Sequence, residues 1–173
     1  MTRAQKPTFP AIIIDTREQA AWSFRTSPQL PVIATKRAGL KTGDYSLEGY
    51  EAEIAIERKS LDDFIGCCMG ERERFERELL RAQALTFFAV IVEAEFSDVW
   101  RGEYVSRILP QSVIGSAAAF TLDYCPVVFA GSAPHAADFA LRLMHKFWRQ
   151  KVGLRGEKPA EGEAAPGLAK ADP

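Results

Sequence analysis

The sequence predicts an α/β fold, a three-layer α/β/α sandwich around a central mixed sheet. Continuous apolar or β-branched runs at residues 11–15 (AIIID), 87–93 (FFAVIVE) and 126–130 (PVVFA) have the composition of strands covered on both faces. Segments with helical signals separate the later runs, which is the alternation that builds a layered α/β domain. An earlier pair of short runs flanks Glu48-Gly49 and reads as a hairpin, so the sheet also contains antiparallel pairing.

The elements follow in order. Residues 11–15 form a short buried strand, and 31–36 (PVIATK) a weaker one. Residues 45–47 and 53–58 form the hairpin. A helical stretch covers 61–85; Ser60 precedes it with Asp63 three residues on, the spacing of a capping box. Gly66 and Gly70 lie inside this stretch and are expected to bend or split it. Residues 87–93 read as a central strand, 110–122 as a helix and 126–130 as another buried strand. Ser132 then caps a helix to about Arg149, with Pro134 in its first turn and Phe139, Leu143 and Phe147 repeating on one face. Residues 1–10 read as a flexible lead, 11–150 as one domain, and 151–173, rich in Ala, Gly, Pro, Glu and Lys, as a disordered tail.

Composition narrows the function classes. With 173 residues and 47% hydrophobic content, the chain can build one core of ordinary size. Lys plus Arg is 22 against 23 Asp plus Glu, which excludes a broadly basic nucleic-acid coat and leaves room for a local basic groove. The longest fully apolar run, Phe87–Val92, has six residues, whereas a spanning helix needs roughly 20, so no membrane association is expected. The opening MTRAQKPTFP has no apolar core for a secretory signal. Three cysteines without a C-x-x-C spacing suggest neither a disulfide framework nor a zinc site and fit a reducing cytosol.

Most acidic residues read as surface charge, but a few fall where strands end. Asp15 closes the first buried strand and Glu18 follows in the turn. Asp44 sits in Thr-Gly-Asp-Tyr before the next strand. In EAEIAIERK, Ile54, Ile56 and Arg58 share one face, and Ala55, Glu57 and Lys59 the other. Glu57 and Lys59 thus lie on one side, about 7 Å apart by strand rise, at a strand end, where α/β proteins keep their sites. The same pair could form an exposed ion pair of little consequence. Carboxylates grouped this way suit a hard divalent cation, and a phosphodiester hydrolase uses such an ion to hold the phosphate and acidify the attacking water. A nearby lysine can orient that water or offset charge developing on phosphorus.

The ordered elements Asp15-Thr16-Arg17-Glu18, Gly43-Asp44-Tyr45 and Glu57-Arg58-Lys59 with Asp63 resemble the D-x-R-E, G-D-Y/F and E-R-K-x-x-x-D motifs of the xeroderma pigmentosum group F family of structure-specific endonucleases. That family is a branch of the restriction-endonuclease-like superfamily, and the resemblance runs over about residues 11–149. It implies divalent-metal-dependent hydrolysis of one DNA strand at branched, flap or fork structures, leaving 5′-phosphate and 3′-hydroxyl ends. By match to the motifs, Asp44, Glu57 and the Arg58 backbone carbonyl would ligate Mg²⁺ (Mn²⁺ also serving), with Glu18 directly or through water. Lys59 would act on the attacking water, and Asp15, Arg17 and Asp63 would complete the catalytic cluster. A homodimer is implied as plausible, because nuclease domains of this family pair, as is an intracellular, nucleoid-associated role in DNA repair or recombination. Where the family has Gly-Arg and then Gln, this chain has Glu71-Arg72 and then Glu76. The competing readings are a non-catalytic DNA-binding or scaffold subunit of the same fold and a sequence-specific restriction-type nuclease.

For DNA contacts, Lys36, Arg37 and Lys41 lie just before the Gly-Asp-Tyr element and are the first candidates for phosphates, with Tyr45, Arg72 and Arg74 alongside. Arg74, Arg77 and Arg81 would form one stripe on a helix, yet interleaved glutamates also fit a salt-bridged, solvated helix.

Overall fold

The computed structural model describes residues 7–24 and 33–154. Its strands are β1 (Ile12–Asp15), β2 (Thr35–Ala38), β3 (Tyr45–Leu47), β4 (Ile54–Lys59), β5 (Phe87–Val92) and β6 (Val127–Phe129). Its helices are α1 (Leu61–Cys67), α2 (Arg72–Ala82), α3 (Phe96–Arg101), α4 (Pro110–Asp123) and α5 (Ala133–Lys151). One sheet runs β2-β1-β3-β4-β5-β6. Strand β3 is antiparallel to both neighbours, and the other pairings are parallel. The expected three-layer α/β/α sandwich with a mixed sheet is what forms.

Alternation along the strands divides the core in two. Ile54 and Ile56 of β4 join Ile12, Tyr45, Leu47 and Ile91 under α5. Ala55 of β4 joins Val90 and Val92 under α1, α2 and α4, where Phe64, Phe75, Leu79 and Phe120 meet. The β4 parity read from sequence therefore holds: Arg58 lies on the α5 side, and Glu57 and Lys59 on the α1/α2 side. Because β1, β4, β5 and β6 run the same way and β3 runs against them, the residues closing β1, opening β3 and closing β4 and β5 collect at one end of the sheet.

The helical stretch after β4 is split near Gly66 and Gly70, with α1 ending at Cys67 and α2 starting at Arg72. Three expectations need correction, and one helix is added. Strand β6 is a half-buried edge, not a buried strand. Helix α5 buries Ala136, Ala137, Ala140, Leu141, Met144, Phe147 and Trp148, with Leu143 packed against the same core, whereas Phe139 is exposed: of the expected face Phe147 and Leu143 turn inward and Phe139 does not, and small alanines supply the rest of the contact with the sheet. Phe9, assigned to the flexible lead, is buried and packs edge-on against His145 and Trp148. Helix α3 was not anticipated; its six residues are too few to display a helical period. The rest of the lead (1–6), the start of the 31–36 strand and the tail beyond residue 154 lie outside the described residues. Among the described residues no helix is long and apolar enough to cross a membrane.

Gly43 has a structural reason. Its φ is +79°, and a Cβ there would stand 2.9 Å from Ala55 Cβ and 3.1 Å from Ile56 O. The left-handed backbone and the close approach to β4 let the next residue, Asp44, donate its N–H to Ile56 O at 2.9 Å. Gly43→Ala is expected to lower stability by about 2–4 kcal/mol, measured by urea unfolding. A loss under 0.5 kcal/mol would contradict this account of the turn.

Candidate active site at the end of the sheet

Asp44 is held in place by the ends of two strands. Its carbonyl accepts the Asp15 N–H at 2.8 Å, and its Oδ2 accepts the Arg58 N–H, also at 2.8 Å. Glu57 is 5% exposed, and its Oε1 accepts from Lys59 Nζ, a contact that the shared strand face makes possible. Lys59 also sits 5.4 Å from the centre of the Phe75 ring on α2, a favourable cation–π placement. The three side chains therefore meet at one strand end, two carboxylates and one ammonium, half-withdrawn from water.

The electrostatics follow from that withdrawal. Burial pushes the Asp44 carboxyl up to about 6, against the Arg58 N–H and the Lys59 charge, with the charges of Glu18 and Glu78 adding to the rise. Burial first, then the charge of Asp44, pushes Glu57 up to about 8, while Lys59 pulls the other way. Burial disfavours the Lys59 ammonium, but the charge of Glu57 and its hydrogen bond outweigh this and raise the lysine pKa. Lys59 is thus a cation at neutral pH, able to donate hydrogen bonds and not to accept a proton.

Among the described residues, no three His, Cys, Asp or Glu side chains converge as a metal cage. The donors present nevertheless fit Mg²⁺, which usually takes one or two carboxylates and fills its remaining positions with water and substrate phosphate. Two desolvated carboxylates, one of them raised by the other's charge, are a pair that a divalent cation relieves. A pH effect follows. Both pKa values exceed those of the unfolded chain, so protonation of the pair favours folding at low pH, and that contribution is lost as pH rises from about 4, through about 6 for Asp44 and about 8 for Glu57. Metal requires the deprotonated pair. In EDTA the melting temperature of the wild type, taken relative to Glu57→Gln, is expected to fall over this window, and the rise in melting temperature on adding Mn²⁺ to grow. A Mn²⁺ effect independent of pH would contradict it.

The other candidates divide sharply. Asp15, 1% exposed, is a clasp: its Oδ1 accepts from Arg17 N and Nε (2.8 and 2.7 Å), and its Oδ2 from Leu40 N (2.6 Å). Burial opposes its charge, but these donors prevail and hold its pKa below the usual carboxylate value. With both oxygens occupied, Asp15 and Arg17 shape the loop and do not join the Asp44–Glu57 pair. Glu18 Oε1 accepts from Ala20 N at 2.6 Å and stands 3.8 Å from Arg58 Nη1; its charge reaches Asp44, while its carboxylate is turned to its own loop. Asp63 is a cap partner, accepting from Ser60 Oγ at 2.6 Å and donating its N–H to that oxygen at 3.2 Å. Its motif spacing coincides with a helix start, and the structure does not bring it to the pair.

Tyr45 cannot touch DNA. It is fully buried, stacks on Trp22 with centroids 4.5 Å apart, and its hydroxyl accepts the Trp22 N–H at 2.8 Å. Its place on the core face of β3 overrides the surface role. Arg72 is likewise turned inward: it pairs with Glu76, donates to Ser116 Oγ at 3.0 Å and lies 5.0 Å from the Phe120 ring centre. Arg74 is exposed and pairs with Glu71, and Arg77 faces Glu73 at 3.9 Å, the salt-bridged pattern that the interleaved glutamates allowed. On β2 the basic residues stay at the surface. Arg37 donates to Glu18 O at 3.0 Å, which ties this strand to the loop beside the site; Lys36 pairs with Glu48, and Lys41 is exposed.

Two glutamates escaped the sequence reading. The charge of Glu78 on α2 bears on Asp44, Glu57 and Lys59 alike. Glu93, just past β5, accepts from Arg58 Nε (2.8 Å) and Nη2 (2.7 Å) and from Trp22 Nε1 (2.5 Å). Its position at the end of an interior parallel strand was the available signal.

A family model described as the ERCC4 domain matches residues 14–143. The chain belongs to the ERCC4 domain family. Among solved structures it is similar to XPF from Aeropyrum pernix, with a TM-score of 0.61 and 23% identity over 84% of this chain and 69% of that one. It is also similar to XPF from Aeropyrum pernix in complex with DNA, with a TM-score of 0.59 and 21% identity over 82% of this chain and 66% of that one. A search of curated proteins found no match. The ERCC4 region spans the sheet from the end of β1 into α5 and contains Asp44, Glu57, Lys59 and Glu93.

Proposed function

We propose that this protein is a divalent-metal-dependent DNA endonuclease that hydrolyses phosphodiester bonds at branched, flap or fork DNA and leaves 5′-phosphate and 3′-hydroxyl ends. The observation that carries the reading is the meeting of Asp44, Glu57 and Lys59 at the end of β4. Membership of the ERCC4 domain family and likeness in fold to an XPF solved with DNA support nucleic acid as the substrate class.

Asp44, Glu57 and the Arg58 carbonyl would hold Mg²⁺ or Mn²⁺, which supplies Lewis acidity toward the phosphate and a more acidic water. The chain's own groups do the rest. The Arg58 N–H and the fixed Gly43 turn orient Asp44. Glu57 holds Lys59, and the Phe75 ring carries its ammonium, so a positive hydrogen-bond donor stands ready to orient the attacking water and to stabilise charge developing on phosphate oxygens. Lys36, Arg37 and Lys41, on and just after β2, form the surface for backbone phosphates.

The partner is a second copy of the chain: the half-buried edge β6, ending at Phe129, and its neighbours Phe96 and Leu122 frame an open apolar hollow of about 750 Å³, whose lining has no charged residue to oppose self-pairing. Sedimentation velocity should then give about twice 19.2 kDa, and Leu122→Lys should return the monomer mass. The activity is tested on a panel of single-stranded, duplex, flap, fork and four-way junction DNA with and without Mg²⁺. Metal-dependent nicking of the branched members is expected. Uncut DNA on every substrate would reject the enzymatic reading, and site-dependent fragments from linear duplex would replace branch selectivity with sequence specificity.

A further inference from the structure

The Arg58 side chain lies on the opposite face of β4 from Glu57 and Lys59, yet its main chain is part of the site, because Arg58 N donates to Asp44 Oδ2 at 2.8 Å. On that far face Glu93 grips the guanidinium with both carboxylate oxygens, at 2.8 and 2.7 Å, and accepts the Trp22 indole N–H at 2.5 Å. A second carboxylate, Glu18, already stands 3.8 Å from Nη1, and its charge also reaches Asp44. Packing alone does not hold the guanidinium. Arg58 and Glu93 border a cavity of about 530 Å³ walled by small and apolar residues, among them Ala133, Ala137 and Leu141, so the arginine has space to change direction.

We propose that Glu93 is a positioning residue for the metal pair: it fixes Arg58 on the α5 face, which keeps the β4 main chain in register with Asp44 and stops the arginine from closing its 3.8 Å approach to Glu18. The inference rests on the reading of Asp44 and Glu57 as metal-holding groups. Bidentate carboxylate–guanidinium pairs are both strong and directional. Partners that lie behind a metal's own ligands commonly change affinity by about 10–100-fold when lost. In this chain the loss has a definite route. An Arg58 released from Glu93 closes on Glu18, 3.8 Å away, and adds positive charge beside carboxylates that already face Lys59.

The test is Mn²⁺ affinity of the full chain, read from the electron paramagnetic resonance signal of free Mn²⁺ without DNA. Four proteins are compared: wild type, Glu93→Gln, Arg58→Met and the double variant. Thermal unfolding in EDTA confirms that each is folded. Glu93→Gln is nearly isosteric; it keeps one oxygen for the Trp22 indole N–H and Arg58 Nε but sets an NH₂ group, which cannot accept, against Arg58 Nη2, and it is expected to bind Mn²⁺ about 10-fold more weakly. In the double variant the released charge is gone, so its affinity is expected to match that of Arg58→Met. Wild-type affinity in Glu93→Gln would overturn the proposal. So would a 10-fold loss that persists when Glu93→Gln is added to Arg58→Met, because the effect would then not run through the arginine. Absence of Mn²⁺ binding by the wild type would overturn the metal reading itself, a different result from unequal affinities among the four.

Discussion

Asp44→Asn is expected to lower metal-dependent nicking of branched DNA by about 10³-fold or more. The substitution preserves size, and the amide oxygen of asparagine can take the place of Asp44 Oδ2 as acceptor of the Arg58 N–H, so the turn and the fold should survive. What is lost is one of two buried negative charges. Because Asp44 helps to raise Glu57, removing its charge also makes Glu57 easier to ionise, and the pH at which Glu57 loses its proton should drop. The variant therefore separates two roles that a simple loss of activity would merge. Single-turnover nicking measures the first, and the pH dependence of unfolding in EDTA measures the second. Near-normal nicking in Asp44→Asn would remove this residue from the reaction.

Lys59→Met is the second large effect. The methionine fills much of the same space against Phe75 and removes the ammonium. Glu57 then loses its hydrogen-bond donor and its only contacting cation among the described residues, so its carboxyl is driven further toward the protonated form and the metal pair is weakened. The rate is expected to fall by about 10²–10³-fold at saturating Mg²⁺, with a further loss at low Mg²⁺ that a higher concentration recovers in part. Lys59→Arg should not restore the rate: the planar guanidinium is larger and donates in a fixed fork, in a place bounded by Glu57 and an aromatic ring. A Lys59→Arg enzyme as fast as wild type would mean that only positive charge, and not a donor at one position, is needed there.

How far the sequence could be read depended on which pattern each residue obeyed. Two-residue periodicity placed Glu57 and Lys59 together on one face of β4 and Arg58 on the other, and the two-sided core confirms it. The hairpin, the split of the helical stretch near Gly66 and Gly70, and the start of α5 were legible because glycine, proline and strand composition act locally. Long-range facts were not. Asp15 and Asp44 both end up at one end of the sheet, but nothing local says that Asp15 closes on Arg17 and Leu40 N while Asp44 keeps one carboxylate oxygen, Oδ1, free of hydrogen bonds among the described residues. The motif spacing of Asp63 hid a helix cap behind a catalytic pattern. Tyr45 stood next to a functional residue and was assigned to the surface, whereas strand alternation turns it toward Trp22. On α5 only Phe139 of the expected face is exposed, and the alanines that fill the rest of the contact with the sheet carry no strong apolar signal. Glu93 and Glu78 come from segments about 35 and 20 residues beyond β4, and only the parallel β4–β5 crossover and the packing of α2 bring them to the same place.

The most direct measurement is anomalous diffraction at the manganese edge from crystals grown with Mn²⁺. The account predicts a peak within ligand distance, roughly 2.0–2.4 Å, of a carboxylate oxygen from Asp44 and one from Glu57, on the Lys59 side of β4. A peak coordinated elsewhere, or none at millimolar Mn²⁺ with both carboxylates still turned to Arg58 N and Lys59 Nζ, would contradict it.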